Sequence, residues 1–195
     1  MKVDHTYWSQ RLRELKHNDE GKEELVLEGE GPYRLSFIIR LMTSEPETAK
    51  EELAELFNAY QGRLGTPVRW LYTEKGEILV SKYHSQTTED QIMLAALSVG
   101  AEDVEFGEGD VVRIICAAGK LEQVAELLEF EDDVHVYAKR LCYQPQALFD
   151  LHGEQEIELV IALMEALAER EDVLDVAADF ELDDLICKKM GYDVY

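Results

Sequence analysis

Arg63, Arg69, Trp70 and Tyr72 set two guanidinium groups and two aromatic rings within one short stretch, and Arg34 lies ahead of them in the same half of the chain. Guanidinium groups pair with phosphate, and indole and phenol rings stack on unpaired bases. The composition therefore suits contact with a nucleic acid through charge and stacking. Arg11, Arg13 and Lys16 bring three more positive charges, on a segment where Trp8, Leu12 and Leu15 recur at helical spacing. The expected contacts are Arg34, Arg63, Arg69 and Trp70, joined by Arg11, Arg13 and Lys16. All have a plainer use as well: strand packing accounts for Trp70 and Tyr72, and a basic helix face often does no more than meet solvent.

Reactive chemistry is missing from the pattern. His5, His17, His84, His135 and His152 show no i, i+4 pairing, and no G-x-S-x-G nucleophile motif occurs. Cys116, Cys142 and Cys187 are far apart and form no C-x-x-C pair; the first two fall in strand patterns, where a buried thiol is the ordinary outcome. Asp132-Asp133 and Asp183-Asp184 lack the spacing of a calcium loop. Gly29 and Gly31 are too few to cradle a phosphate, and no lysine followed by serine or threonine comes after them. The reading is a non-enzyme with no metal and no cofactor.

Charge decides where an anionic partner approaches. The 195 residues are 46% apolar, as in a globular protein, and carry a net charge of -23. Residues 1–82 hold 12 Lys and Arg against 15 Asp and Glu, whereas residues 83–195 hold 7 against 27. A field of that sign repels phosphate backbones, so contact with DNA, RNA or the ribosome is cheapest through the less acidic first half. The later half suits a basic protein surface, or simply keeps the chain soluble. No apolar run reaches the length of a membrane span, and the first five residues lack an apolar signal core. The expectation is a soluble, cytoplasmic protein without membrane contact.

Two stretches that would position these residues are written alike. In residues 156–182, Ile157, Val160, Ile161, Met164 and Leu167 share one helix face. After an acidic turn the period drops to two, with Leu174, Val176, Ala178, Phe180 and Leu182 inward and Asp175, Asp179 and Glu181 outward. Residues 121–141 repeat the plan, with Leu121, Val124, Ala125 and Leu128 on a helix and then Asp132-Asp133-Val134-His135-Val136. A helix and a strand cannot bury both apolar faces alone, so each copy closes a small α/β domain.

Ahead of these copies, strands are expected over 24–30, 35–42, 68–72, 78–80, 102–106 and 111–117. Helices are expected after the capping box Ser44-Glu45-Pro46-Glu47 and after Thr87 or Thr88. Lys75-Gly76-Glu77 reads as a tight turn and Gly107-Glu108-Gly109-Asp110 as a hairpin. From Ile78 the order β-α-β-β-α-β is the ferredoxin-like arrangement, and the ββαβ before it joins the αβ after it in a second sandwich. The expected fold is α+β: two small ferredoxin-like α/β sandwiches, one inserted into the other, with a short N-terminal helix. Residues 1–20 hold that helix, 21–73 and 145–182 the split domain, 74–144 the inserted one, and 183–195 a tail.

Gly29-Glu30-Gly31-Pro32, Gly62-Arg63-Leu64-Gly65, Val68-Arg69-Trp70 followed by Lys75-Gly76, Gly100-Ala101-Glu102-Asp103-Val104, and Leu163-Met164-Glu165-Ala166-Leu167 leading to Asp172-Val173 occur in this order. Together they resemble the YebC/PmpR family, which includes the mitochondrial translational activator of cytochrome c oxidase subunit I. The likeness runs in register over residues 7–182. It implies a helical N-terminal domain and two α/β domains, one inserted in the other. It also implies work in gene expression: some members are described as DNA-binding transcriptional regulators, others as ribosome-associated factors that help translation of difficult sequences.

Two departures from the family pattern bear on function. Only residues 7–16 match the basic N-terminal helical domain, as its last helix, and Tyr33-Arg34 stands where the family tends to have a glycine pair after Pro32. The second change predicts a loop less free to adopt positive φ. The expected function is a non-enzymatic YebC-like regulator of transcription or translation that binds DNA, RNA or the ribosome. The alternative is an acidic protein-interaction module that has lost nucleic-acid binding and faces a basic protein surface.

Overall fold

Leu25 and Leu27 alternate with acids in strand β1 (Glu23–Glu30), and a turn returns the chain as β2 (Ser36–Thr43). The two pair antiparallel over their whole length, from Glu23 opposite Thr43 to Glu30 opposite Ser36. Helix α1 (Pro46–Ala59) turns Ala49, Leu53 and Phe57 inward, and the two-residue β3 (Arg63–Leu64) pairs back onto β1. Then come β4 (Tyr72–Ser81), α2 (Glu89–Ser98), β5 (Asp103–Phe106), β6 (Val111–Ala117), α3 (Leu121–Phe130) and β7 (His135–Pro145). The last elements are β8 (Phe149–Leu151), α4 (Glu154–Ala168), β9 (Val173–Ala178) and β10 (Phe180–Leu182).

The computed structural model describes residues 21–81, 88–106, 111–130 and 135–182. The expected basic helix with Arg11, Arg13 and Lys16, the turn at 107–110, the Asp132-Asp133 pair and residues 183–195 lie outside them. Among the described residues the fold is α+β, with four helices and two four-stranded sheets. They group into two compact units: one runs up to Tyr72 and resumes at Pro145, and the other is Thr73–Gln144.

In the first unit the sheet order is β3-β1-β2-β9, so the last long strand pairs with one more than a hundred residues earlier. Phe37 lies opposite Ala178 and Ile39 opposite Val176. α1 and α4 bury Leu53, Phe57, Ile157, Val160, Ile161, Met164 and Leu167 against Phe37, Ile39 and Leu41 of β2. Phe37 is the centre of this core: its ring meets Phe57 edge-on at 5.6 Å and Phe180 at 6.3 Å.

The second unit has order β5-β6-β4-β7, which is the ferredoxin-like strand order 2-3-1-4. Its helices pack Ile92, Ala96, Val124, Ala125 and Leu128 onto Ile78, Val80, Val112, Ile114 and Cys116. Glu77 on β4 has a fully buried side chain and accepts from Arg113 on one side and Arg140 on the other. Arg113 also donates to both oxygens of Glu105, at 3.0 and 2.8 Å. Burial works against the Arg113 charge, but Glu77 and Glu105 more than offset it and hold the guanidinium above its ordinary pKa.

Tertiary contacts overturn several local expectations. Leu174 does not face the core: Arg40 lies opposite Asp175 and Leu41 opposite Val173, so a bulge shifts the phase and Val173, Val176 and Ala178 point inward. Asp175 and Asp179, expected outward, are buried. Phe180 and Leu182 do pack against the core as expected, but they leave the main sheet and pair in parallel with β8. The N-cap of α1 is Glu45 without a side-chain cap, so the expected capping box does not form, and Thr43 Oγ1 accepts the Glu45 N–H at 3.0 Å. Thr88 does form a capping box, with Gln91.

The turn expected at Lys75-Gly76-Glu77 is the interior of β4. A Cβ at Gly76 would stand 2.8 Å from Cys116 Sγ and 3.0 Å from Leu121 Cβ. The glycine permits close approach of the α3 start to the sheet and makes no turn.

Candidate nucleic-acid interface

Residues 68–72, expected as a strand, form a 3-10 turn over Arg69–Leu71. The cause is Glu28 on β1, whose Oε2 accepts the backbone N–H of Val68 at 2.8 Å and of Arg69 at 2.9 Å. Two N–H groups drawn to one carboxylate curl the chain, and Leu71 N–H closes the turn on the Val68 carbonyl at 2.9 Å. The other Glu28 oxygen lies 3.4 Å from Arg69 Nε. From the returning chain, Gln146 N–H bonds the Leu71 carbonyl at 2.9 Å. Trp70, at the apex, is left 73% exposed.

Two residues along β1, Glu30 organises a second pair. Arg63 on β3 lies directly opposite Glu30, so the two side chains share a face of the sheet. Arg34 Nε is 3.8 Å from Glu30, with its side chain 91% exposed. The loop between them corrects an expectation, since Tyr33 has φ 57 and Arg34 φ 66, both left-handed in spite of their side chains. Such a conformation costs about 1–2 kcal/mol per residue. The turn is fixed by Gly31 N–H to the Leu35 carbonyl at 2.8 Å, and Tyr33 stays half exposed.

The structure thus gathers Arg34, Arg63, Arg69 and Trp70 beside β1, interleaved with Glu28 and Glu30. Tyr33 joins them and was missed by sequence reasoning; the departure from glycine at that loop was the available signal. Glu28 was missed too, because its acid looked like the solvent side of an alternating strand. Tyr72 takes no part. It is buried, donates to the Ser36 carbonyl at 2.7 Å, and neighbours a Ser36 hydroxyl that donates to Asp179 at 2.5 Å. Burial pushes the Asp179 carboxyl above its usual range against the pull of its Ser36 hydrogen bonds. Burial likewise drives the Tyr72 phenol far above that of a free tyrosine, partly countered by Ser36 and reinforced by the Asp179 charge.

Among the described residues no three His, Cys, Asp or Glu side chains converge as a metal would require, and no helix is long and apolar enough to cross a membrane. The family model for the second and third domains of TACO1/YebC matches residues 22–180. The chain belongs to the TACO1/YebC family. A "Probable transcriptional regulatory protein" of Pelotomaculum thermopropionicum is 35% identical over 164 residues, which is 83% of this chain and 66% of that protein. One of the same description from Desulfitobacterium hafniense is 30% identical over 169 residues, 86% of this chain and 66% of its own length. This TACO1/YebC chain therefore spans 66% of the length of these curated relatives. The crystal structure of a "Conserved Hypothetical Protein Aq1575" from Aquifex aeolicus superposes with a TM-score of 0.73 at 29% identity, over 86% of this chain and 68% of that one.

Proposed function

We propose that this TACO1/YebC chain is a non-enzymatic cytoplasmic regulator of transcription or translation that holds DNA, RNA or the ribosome against Arg34, Arg63, Arg69 and Trp70. The naming of its relatives as probable transcriptional regulators supports the regulatory part. The binding part rests on one observation: Glu28 fixes the backbone at Arg69, Glu30 lies beside Arg34, and the Arg34 and Arg69 guanidinium groups and the Trp70 indole stay exposed. Glu28 and Glu30 also temper the positive charge, so the edge contributes three phosphate contacts and not a broad basic field. Affinity should fall with salt, at a logarithmic slope of about -2 to -3. Titrating labelled single-stranded RNA, duplex DNA and ribosomes with the protein tests this; absence of salt-dependent binding to all three contradicts it.

The acidic residues on the helices of the second unit favour the second reading, an acidic module that meets a basic protein. A pull-down with nuclease treatment separates them, since a partner kept after nuclease favours the protein contact.

A further inference from the structure

The helices of the second unit carry large apolar side chains away from their own core. α2 reads Glu89-Asp90-Gln91-Ile92-Met93-Leu94-Ala95-Ala96-Leu97-Ser98, apolar on nearly every side after its first turn. Ile92 and Ala96 are buried, while Met93, Leu97 and above all Leu94, at 68%, are exposed. On α3, Val124, Ala125 and Leu128 are buried, whereas Leu127 and Phe130 are exposed, Phe130 at 84%. Both helices cover the same face of the sheet and contact each other, so their outer sides form one layer. Single exposed apolar residues are ordinary, but five on two adjacent short helices make a surface that water disfavours. A helix apolar all round is built to be covered on both sides.

Charge identifies the cover. Neither helix contains Lys, Arg or His, and their ionisable residues are Glu89, Asp90, Glu122, Glu126 and Glu129. Among the described residues Lys139 of β7 reaches Glu122 and Lys120 precedes α3, so acids outnumber cations along the two helices. A second copy would set acids against acids, and phosphate or an anionic membrane would be repelled in the same way. We propose that the outer face of α2 and α3 docks a basic amphipathic helix of a partner protein. Its apolar side chains would cover Leu94, Leu97, Leu127 and Phe130, while its flanking Lys and Arg meet Asp90, Glu126 and Glu129. This surface is opposite in sign to the arginine edge and belongs to the other unit, so it does not rest on nucleic-acid binding.

A labelled peptide of about eighteen residues, Leu and Lys placed so that one helix face is apolar, serves as probe for the full chain by fluorescence anisotropy. A scrambled peptide of equal composition and a Leu/Glu analogue are controls. The expected result is binding that weakens with salt and loosens at least about tenfold in Leu94→Ser/Phe130→Ser. Glu126→Lys/Glu129→Lys should loosen it comparably and flatten its salt dependence. Both apolar positions are exposed, so the serine variant should keep the wild-type circular dichroism, thermal midpoint and any RNA binding. Equal binding of the scrambled peptide, or wild-type affinity in the serine variant, would show bulk charge attraction and overturn the proposal. Sedimentation equilibrium showing a wild-type dimer that the serine variant dissolves would overturn it in favour of self-association.

Discussion

The two units share a layered plan but put three arginines of the first and two of the second to opposite use. In the first, Arg34, Arg63 and Arg69 lie beside β1 at the sheet edge and are exposed, with Arg34 near Glu30, Arg69 near Glu28 and Arg63 opposite Glu30 in register. In the second, Arg113 and Arg140 turn onto the buried Glu77, and what faces solvent on the helices is apolar and acidic. The balance of charge along the chain marks the first half as the friendlier to phosphate. The reason lies in where each carboxylate stands: Glu77, buried beneath its strand neighbours, draws cations inward, while Glu28, at an edge, binds the Val68 and Arg69 backbone and pairs with an Arg69 side chain that stays half exposed.

The sharpest way to break that comparison is to remove the carboxylate in each unit. Glu77→Ala should destabilise by about 3–5 kcal/mol, because Arg113 and Arg140 lose a buried partner. Phe37→Ala, which empties the centre of the first core, should cost about as much, roughly 3–5 kcal/mol. Urea denaturation followed by circular dichroism measures both, and a loss near 1 kcal/mol in Glu77→Ala would mean the buried bridge is solvated. Glu28→Gln should cost less, about 1.5–3 kcal/mol, by weakening two N–H bonds to a charged acceptor. It should also release Trp70, visible as a shift in indole fluorescence, whereas the Glu77 change should leave that emission untouched.

pH separates the buried phenol from the exposed edge. The Tyr72 pKa is raised by folding, so its contribution is fully present below the unfolded value, about 10, and is lost as pH rises beyond it. Tyr72→Phe should flatten the alkaline fall in stability, and an unchanged fall would remove Tyr72 as its source. The smallest effect belongs to the strained loop. Arg34→Gly should stabilise the fold by up to about 1 kcal/mol while weakening polyanion binding, a trade expected only where strain serves a contact.

Much of the architecture was legible in the chain because apolar period carries it. The repeated helix-turn-strand writing of 121–141 and 156–182 gives α3 with β7 and α4 with β9, each strand lying beside the first long strand of its unit or its neighbour in the hairpin. What stayed hidden depends on residues far apart in sequence. The bulge at Leu174 follows from register against Arg40 and Leu41, and the turn at Arg69 from an acid forty residues earlier. Gly76 reads as a turn until Cys116 and Leu121 are seen pressing against it. At the site, Arg34, Arg63, Arg69 and Trp70 were named by composition, but their grouping around Glu28 and Glu30 needed the pairing of β1 with β3.

Binding of an anionic partner depends most directly on the charge at that edge. The measurement is the salt dependence, between about 50 and 200 mM, of binding to whichever of single-stranded RNA, duplex DNA and ribosomes binds tightest. Wild type should give a logarithmic slope of about -2 to -3, and Arg63→Ala/Arg69→Ala should reduce it by about 1.4–1.8 with weaker binding throughout. A double variant that keeps the wild-type slope and affinity would contradict the assignment of these arginines.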